Sequence, residues 1–261
     1  GTDQVHADYA EGAGVFDLTT KEVLYSQNLF EKLYPASTTK ILTCIVAMEQ
    51  CKPDEVVTFS AKAASQPKVH LGAKKGEQFY MQDLWYGLML ESYNDCAYAI
   101  AEHVAGSAEK FAALMNEKAK KIGCTDSHFV TPNGLDAKDE QGEHHTTAYD
   151  LYLIFNEAIK YDSFNEIIHM TSYQTTYYDK DGKAKELTVN NTNRFLKGDF
   201  QAPENITVIG GKTGTTNAAG HCLILLSRDV SGAPYISVIL NSSASDVLYP
   251  EMVQLLEQIN K

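Results

Sequence analysis

The 261-residue sequence lacks the features of a membrane-spanning or nucleic-acid-binding protein. Its longest apolar run, residues 41–48, is far shorter than the ~20 residues that cross a bilayer. A formal net charge of −12 argues against DNA or RNA as a partner, because such binding needs clustered Lys and Arg. The opening Gly1-Thr2-Asp3-Gln4 has neither the basic nor the apolar region of a signal peptide, so a targeting segment is expected either never to have been present or to have been trimmed.

Cysteine and histidine do not form a pattern that predicts disulfides or a metal site. The five cysteines, an odd number without a Cys-x-x-Cys pair, are interpreted mainly as small buried side chains. The adjacent His144 and His145 would point apart, and no carboxylate spacing around them resembles a zinc motif. His103 and His221 are interpreted as structural. Neither a metal nor another cofactor is therefore expected.

The composition, 44% hydrophobic and 21% charged, is that of a globular protein with a real core. From about residue 60 to 160, apolar residues at spacings of three and four predict helices, with Gly106 and Gly123 at helix C-termini. Two β-rich runs within residues 14–25 predict an N-terminal hairpin, and Asp181-Gly182 predicts another. The middle of the chain is thus expected to be helical.

Three strand-like runs and an amphipathic helix close the chain after about residue 205. Strands at both ends with a helical insertion predict an α+β fold, with one antiparallel sheet flanked by helices as an α/β/α sandwich. The expected domain is a single one over residues 1–261, with a sheet lobe at about 5–59 and 166–261 and a helical lobe at about 60–165. The cleft between the lobes is the expected active site.

A serine and a lysine lie three residues apart where a helix is predicted to begin, at Ser37 and Lys40. On a helix such side chains share one face, with Cβ atoms ~5–6 Å apart. The lysine can take the serine's proton if burial or a neighbouring cation lowers its pKa. The alternative is a helix cap followed by a solvated lysine, and the pattern taken alone favours that alternative.

Two later segments carry polar residues that could complete such a site. Residues 92–94, Ser-Tyr-Asn, fall in a short loop between predicted helices, where a capped turn is the alternative. Residues 210–215, Gly-Gly-Lys-Thr-Gly-Thr, end a strand-like run with glycines that let a ligand approach the backbone. A glycine-rich strand edge is the alternative for this second segment.

Together the segments give the order Ser-x-x-Lys, Ser-x-Asn, Lys-Thr-Gly at spacings of roughly 50 and 120 residues, the motif set of penicillin-binding proteins and serine β-lactamases. The chain further resembles the low-molecular-mass serine D-alanyl-D-alanine carboxypeptidases over most of its length, for example in "TPNGLDA", "NNTNRFL" and "GGKTGTTNAAGHCL". The resemblance implies that Ser37 is the acylated nucleophile, Lys40 its base and Ser92 a proton relay toward the leaving amine.

The same resemblance implies the substrate-binding residues. Asn94 would donate to the amide backbone of the substrate. Lys212 would keep the catalytic lysine neutral by charge repulsion and, with Thr213, would bind the terminal carboxylate of the substrate. Gly214 is a further expected substrate-binding residue. The backbone N–H groups of the nucleophile and of Thr215 would form the oxyanion hole.

The implied activity is removal of the terminal D-Ala from peptidoglycan stem peptides ending in D-Ala-D-Ala. β-Lactam antibiotics would acylate and inhibit the same serine. The implied compartment is extracytoplasmic, and membrane contact is expected only through a segment absent from this chain. The second, β-rich domain and the C-terminal anchor that often occur in the family are likewise not expected within these residues.

Two departures from the family pattern and two alternative functions remain. Tyr93 is bulky where many relatives of this fold carry Gly or Asp, so it is expected to narrow the cleft or to offer a stacking face. Thr215 stands where some family members have His.

A serine β-lactamase shares the three motifs, but no glutamate-bearing loop of that class is recognised, and residues 165–170 lack its surroundings. A non-catalytic penicillin-sensing domain is the other alternative.

Overall fold

Residues 6–261, which this computed structural model describes, form eleven strands and eight α-helices. The strands are β1 (Ala10–Asp17), β2 (Val23–Gln27), β3 (Val56–Thr58), β4 (Gln78–Tyr80), β5 (Lys138–Asp139), β6 (Gly142–Glu143), β7 (Ser172–Tyr178), β8 (Ala184–Asn190), β9 (Thr207–Thr216), β10 (Gly220–Arg228) and β11 (Pro234–Ser242). The helices are α1 (Lys40–Gln50), α2 (Ala61–Ala64), α3 (Met81–Leu90), α4 (Asn94–Ala105), α5 (Ala108–Ile122), α6 (Ala148–Ala158), α7 (Asp162–His169) and α8 (Ser245–Leu256).

The main sheet joins the two ends of the chain in the antiparallel order β2-β1-β11-β10-β9. Successive residues of a strand face opposite sides, and β10 uses both sides for apolar packing. Leu223 and Leu225 pack with α8, whereas Ile224 and Leu226 join the large core that includes α1, α3, α4 and α6. Helices therefore cover both faces of the sheet, and the predicted α/β/α sandwich is confirmed.

The hairpin at Asp181-Gly182 forms as predicted, but it lies in a different sheet. Its strands β7 and β8 join β3 and β4 in a second sheet of order β3-β4-β7-β8. Stacking of Phe79 on Tyr177, with ring centroids 4.6 Å apart, packs β4 against β7. Turn chemistry and alternation predict a hairpin, but they carry no information about which sheet it joins. The expectation that this hairpin belongs to the one sheet built from the two ends of the chain was therefore wrong.

Two helices, α4 and α5, end where the glycines of the sequence predict that they end. Gly106 and Gly123 follow α4 and α5 with φ values of +90° and +108°, the left-handed conformation that glycine adopts without steric penalty. Ser107 caps the N-terminus of α5, and its hydroxyl accepts a hydrogen bond from the Lys110 N–H. Within residues 6–261, no helix combines the length and apolar character needed to cross a membrane.

The helix predicted after Ser37 begins one turn later than expected. Residues Ala36–Thr39 form a 3₁₀ turn, and α1 starts at Lys40. Side chains at positions i and i+3 of a 3₁₀ turn eclipse each other, so Ser37 and Lys40 still lie side by side. The first eight residues of α1 are buried, and the helix packs against α4. The serine-lysine pair is therefore fixed at the start of a helix whose first eight residues lie within the core.

Candidate active site

The three sequence motifs meet at one cleft with a volume of about 360 Å³. Six of the predicted residues line it: Ser37, Ser92, Asn94, Thr213, Gly214 and Thr215. The two predicted lysines lie beneath its surface, with Lys40 fully buried and Lys212 only 3% exposed. All eight residues predicted from the sequence are thus brought together, six at the wall and two below it.

Lys40 is the centre of the hydrogen-bond network. Its Nζ lies 2.7 Å from Ser37 Oγ, 3.2 Å from Ser92 Oγ, 2.9 Å from Asn94 Oδ1 and 2.9 Å from the Asn133 carbonyl oxygen. The amide and carbonyl oxygens can only accept, so a neutral amine gives them its two N–H groups. Its lone pair then remains for a serine hydroxyl. This arrangement fits a base that is poised to take the proton of Ser37.

Burial is the main reason that the pKa of Lys40 lies well below its ordinary value. The positive charge of Lys212 adds to this effect, whereas Cys96 and Asp95 oppose it. Burial also lowers the pKa of Lys212, to about 7, and its ammonium donates to the carbonyl of Thr213 at 2.7 Å. Two amines enclosed together favour the neutral form of Lys40, the form that can act as a base.

The backbone is strained on both sides of the cleft. Ala36 (φ +51°) and Ser92 (φ +63°) adopt left-handed conformations, which cost a non-glycine residue ~1–2 kcal/mol each. Gly134 and Gly214 hold the strained turn in place from two directions. A Cβ on Gly214 would lie 2.6 Å from the Ser37 nitrogen, and one on Gly134 would lie 1.9 Å from the Ala36 carbonyl oxygen. Only residues without a side chain permit this approach.

The Lys-Thr-Gly segment belongs to β9, which is an edge strand of the main sheet. One edge of β9 pairs with β10, and the 3₁₀ turn packs against β9 beside the cleft. Thr215 is paired with His221 of β10, and its Oγ1 lies 3.2 Å from the His221 Nδ1. Gly214 of this segment lies next to the Ser37 nitrogen, beside which the oxyanion hole is predicted.

Asp95 is a buried residue of the site that the motifs did not single out. Its carboxylate accepts hydrogen bonds from the backbone N–H groups of residues 71–73. Asn94 extends the same support, because its Nδ2 donates to the Pro67 carbonyl at 3.1 Å. That bond uses one of the two Nδ2 hydrogens and leaves the other for a substrate carbonyl. These bonds hold the loop whose Lys68 lines the cleft.

The expectation that Tyr93 narrows the cleft is not met. A Cβ on Gly87 of α3 would lie 3.1 Å from the Tyr93 Cδ2, so the ring occupies the space above a residue without a side chain. The Tyr93 hydroxyl donates to the Glu91 carboxylate at 2.9 Å. Glu91, and not Tyr93, lines the cleft. The bulky residue thus packs on α3 and orients a carboxylate at the rim.

His144 has a structural role. The Val130 N–H donates to its Nδ1 at 2.9 Å, so the Nε2 carries the proton and donates to Thr39 Oγ1 at 2.8 Å. Burial lowers the pKa of His144 to about 3, which keeps it neutral. It joins the segment before Asn133 to the turn that carries the nucleophile. His145, as predicted, points elsewhere, and its Nδ1 lies 2.7 Å from the Glu143 carbonyl.

With this geometry established, comparison with known proteins identifies the family. Residues 2–244 match the model of peptidase S11, which is described as D-alanyl-D-alanine carboxypeptidase. The chain belongs to the peptidase S11 family. Among relatives of this family, D-alanyl-D-alanine carboxypeptidase DacF of Bacillus subtilis is 32% identical over 258 residues, which are 96% of this chain and 62% of DacF. DacC of Escherichia coli is 34% identical over 254 residues, 93% of this chain and 59% of DacC.

Solved structures related to this peptidase S11 chain share its whole fold. A D-alanyl-D-alanine carboxypeptidase from Mycobacterium tuberculosis aligns with a TM-score of 0.87 at 26% identity, covering 100% of this chain and 94% of the other. The Streptomyces K15 DD-transpeptidase aligns with a TM-score of 0.85 at 25% identity, covering 99% and 98%. The chain spans about three fifths of the length of DacF and DacC, and nearly all of these two structures.

The carboxylates of this peptidase S11 chain do not favour the β-lactamase alternative. Glu166, in the segment considered for that class, lies on α7 and lines a separate groove with Trp85 and Tyr173. Among residues 6–261, Glu91 is the only carboxylate that lines the cleft, and it belongs to the turn before Ser92. A glutamate placed as in the class A enzymes is therefore not found in the described cleft.

Proposed function

We propose that the chain is a serine D-alanyl-D-alanine carboxypeptidase that removes the terminal D-Ala from peptidoglycan stem peptides. The observation that carries the proposal is the fully buried Lys40, whose Nζ lies 2.7 Å from Ser37 Oγ at the floor of the cleft. Membership of peptidase S11 supports the substrate class. Because peptidoglycan lies outside the cytoplasmic membrane, we place the activity there. Residues 1–261 act as one catalytic unit in this proposal.

Acylation begins with transfer of the Ser37 hydroxyl proton to the neutral Lys40. The Ser37 Oγ attacks the carbonyl carbon of the penultimate D-Ala, and the backbone N–H groups of Ser37 and Thr215 stabilise the oxyanion, each contributing ~3–4 kcal/mol. The proton then passes from Lys40 through Ser92, 3.2 Å away, to the amide nitrogen of the scissile bond. The carbon–nitrogen bond breaks, and D-Ala leaves as the free amino acid.

Hydrolysis completes the cycle with the same groups. A water molecule gives its proton to Lys40 as its oxygen attacks the acyl carbon. The bond from this carbon to Ser37 Oγ breaks, and Oγ regains a proton from Lys40. A β-lactam enters as the dipeptide does, but its cleaved amide remains tethered in the cleft. The leaving group cannot diffuse away, and the adduct on Ser37 persists.

Substrate binding uses the strand edge and the positive charge beneath it. The open edge of β9 at residues 213–215 can pair with an extended peptide as an added strand. Thr213 offers a hydroxyl at the wall, and the buried Lys212 supplies positive charge toward the substrate's terminal carboxylate. Asn94 holds Lys40 through Oδ1 and uses its remaining Nδ2 hydrogen for the substrate backbone. These contacts favour a peptide that ends in a carboxylate.

The test is release of D-alanine from a peptide ending in D-Ala-D-Ala, together with intact mass after benzylpenicillin treatment followed over hours. We expect D-alanine release and a penicillin adduct that maps to Ser37 and persists for hours. Ser37→Ala is the control and should give neither. Penicillin turnover at tens per second would contradict the proposal in favour of a β-lactamase. A stable adduct without D-alanine release would contradict it in favour of a sensor.

The two lysines predict a bell-shaped pH dependence of penicillin acylation. Only neutral Lys40 accepts a proton, so the rate should rise with pH through its lowered pKa. Above about pH 7, Lys212 loses the charge that attracts the substrate carboxylate, and the rate should fall. Lys212→Met removes a repelling cation, which raises the pKa of Lys40. The rising limb should therefore move to higher pH and the falling limb should disappear; a rising limb at unchanged pH would refute this coupling.

A further inference from the structure

A cluster of three potential metal ligands lies at the C-terminal ends of α1 and α4, and the cleft lies at the N-terminal ends of the same helices. Cys51, Glu55 and His103 offer a sulfur, a carboxylate oxygen and an imidazole nitrogen, and these atoms all lie within 4.8 Å of one another. The His103 Nε2 lies 3.1 Å from a Glu55 oxygen. We propose that these three residues bind a divalent transition-metal cation of the zinc type, a site that no spacing in the sequence predicts.

The ligand set selects the class of ion. Thiolate sulfur and imidazole nitrogen favour Zn²⁺ and related ions over Mg²⁺ and Ca²⁺, which prefer oxygen. Zn²⁺ binds sulfur at ~2.3 Å and nitrogen or oxygen at ~2.0–2.2 Å in tetrahedral geometry, so its ligand atoms lie ~3.3–3.8 Å apart. Because the three atoms lie within 4.8 Å of one another, binding requires each pair to approach by at most ~1.5 Å. Three protein ligands leave the fourth position for water.

The backbone holds the three side chains in place from separate elements. Cys51 caps the C-terminus of α1, and its N–H donates to the Ala47 carbonyl at 2.9 Å. Glu55 precedes β3, and its carbonyl accepts from the Met81 N–H at 2.8 Å. His103 lies in the last turn of α4, which packs against both α1 and β3. The ligands therefore converge because the fold fixes their origins.

The local electrostatics favour a cation at this point. Both α1 and α4 direct their C-termini toward the cluster, and the negative ends of helix dipoles attract positive charge. The side chains of His103 and Glu55 are 26% and 37% exposed, so an ion can enter from solvent.

Binding is balanced in protons and charge. The Cys51 thiol releases one proton to solvent, and its thiolate forms a bond to the cation. Neutral His103 gives a nitrogen lone pair, and Glu55 gives a carboxylate oxygen in place of its contact with the imidazole. One dication then faces two anionic ligands that would repel each other without it. No oxidant or reductant takes part.

Such an ion would connect the two helices that begin at the active site. Lys40 and Asn94 are the first residues of α1 and α4, and Nζ of one lies 2.9 Å from Oδ1 of the other. The metal would join the same helices at their far ends, ~16 Å away along α1 at 1.5 Å per residue. Its expected effect is therefore on stability, since binding only to the folded chain raises the unfolding midpoint.

The test is titration of the reduced, chelator-treated protein with Zn²⁺ and, as a spectroscopic probe, with Co²⁺. We expect one Zn²⁺ per chain, a thiolate-to-Co²⁺ charge-transfer band in the near ultraviolet and a raised unfolding midpoint. Cys51→Ser should remove the band and weaken Zn²⁺ binding at least ~10-fold, since even outer partners of metal ligands cost ~10–100-fold when removed. His103→Ala should weaken binding similarly.

Cys124→Ser is the matched control, because it removes another half-buried thiol outside the cluster. It should bind Zn²⁺ and give the Co²⁺ band as the wild type does. Equal Zn²⁺ affinity in wild type and Cys51→Ser, or a Co²⁺ complex without the thiolate band, would overturn the proposal. These measurements do not involve peptidase activity, so their outcome is independent of the proposed function.

Discussion

Lys40→Met should lower the rate of penicillin acylation at Ser37 by ~10³-fold or more, because a positioned general base contributes ~10²–10⁴-fold and nothing replaces it here. Methionine fills a similar volume, but it has neither the lone pair that takes the Ser37 proton nor the N–H groups that hold Asn94 and the Asn133 carbonyl. The measurement is the second-order rate of labelling by a fluorescent penicillin, read at several pH values.

The pH profile separates loss of the base from loss of the fold. The labelling rate of wild type should rise with pH as Lys40 becomes neutral, whereas the residual rate of Lys40→Met should lack that rise and keep only the fall above about pH 7 that Lys212 causes. Lys120→Met, on the exposed face of α5, is the matched control and should label like wild type. A Lys40→Met protein that labels within a few-fold of wild type would remove Lys40 as the base.

Gly134→Ala should reduce acylation by ~10²-fold or more, the loss that a shift of about 1 Å in reacting groups can cause. The new Cβ would lie 1.9 Å from the Ala36 carbonyl oxygen and 3.1 Å from the Ser37 nitrogen, so the nucleophile's turn must move. The adjacent Asn133 carbonyl, which holds Lys40, must move with it. The rate of penicillin labelling and the unfolding midpoint are both expected to fall.

Gly232→Ala provides a control with the same backbone cost. Gly134 and Gly232 both have a φ of +86°, but a Cβ on Gly232 would meet nothing within 4 Å. Both substitutions therefore pay the left-handed penalty of ~1–2 kcal/mol, and only Gly134→Ala adds the steric overlap. Gly232→Ala should lose some stability and keep its labelling rate. Equal labelling by the two variants would show that close approach at Gly134 is not needed.

Several features that depend on local patterns could be predicted from the sequence. The N-terminal hairpin, the helix ends at Gly106 and Gly123 and the three closing strands follow from periodicity and turn chemistry, and the structure confirms them. The assignment of the 172–190 hairpin to a sheet could not be predicted, because it depends on packing of aromatic residues such as Phe79 and Tyr177 from distant segments.

In the active site, the side chains that belong to motifs could be predicted from the sequence, whereas the contributing backbone groups could not. Ser37, Lys40 and Lys212 carry a motif that can be recognised, so their meeting was predictable. The Asn133 carbonyl that holds Lys40 is a backbone group, which any residue supplies and no motif marks. The lowered pKa of Lys40 depends on enclosure by the whole core. The prediction that Tyr93 narrows the cleft was wrong because its ring packs in a space that exists only where α3 has Gly87, a residue without a side chain.

The open edge of β9 has a consequence for self-association. An unpaired strand edge that accepts a peptide also offers a template for a strand of another copy, which is a common route to aggregation. The 3₁₀ turn and α7 pack against β9, and the edge lies within a cleft. A strand of a second copy therefore cannot approach it as it would a flat, fully exposed edge strand. The net charge of −12 adds long-range repulsion between copies, which salt would screen. At low ionic strength, this repulsion therefore keeps copies of the protein apart while the edge of β9 stays accessible to a peptide.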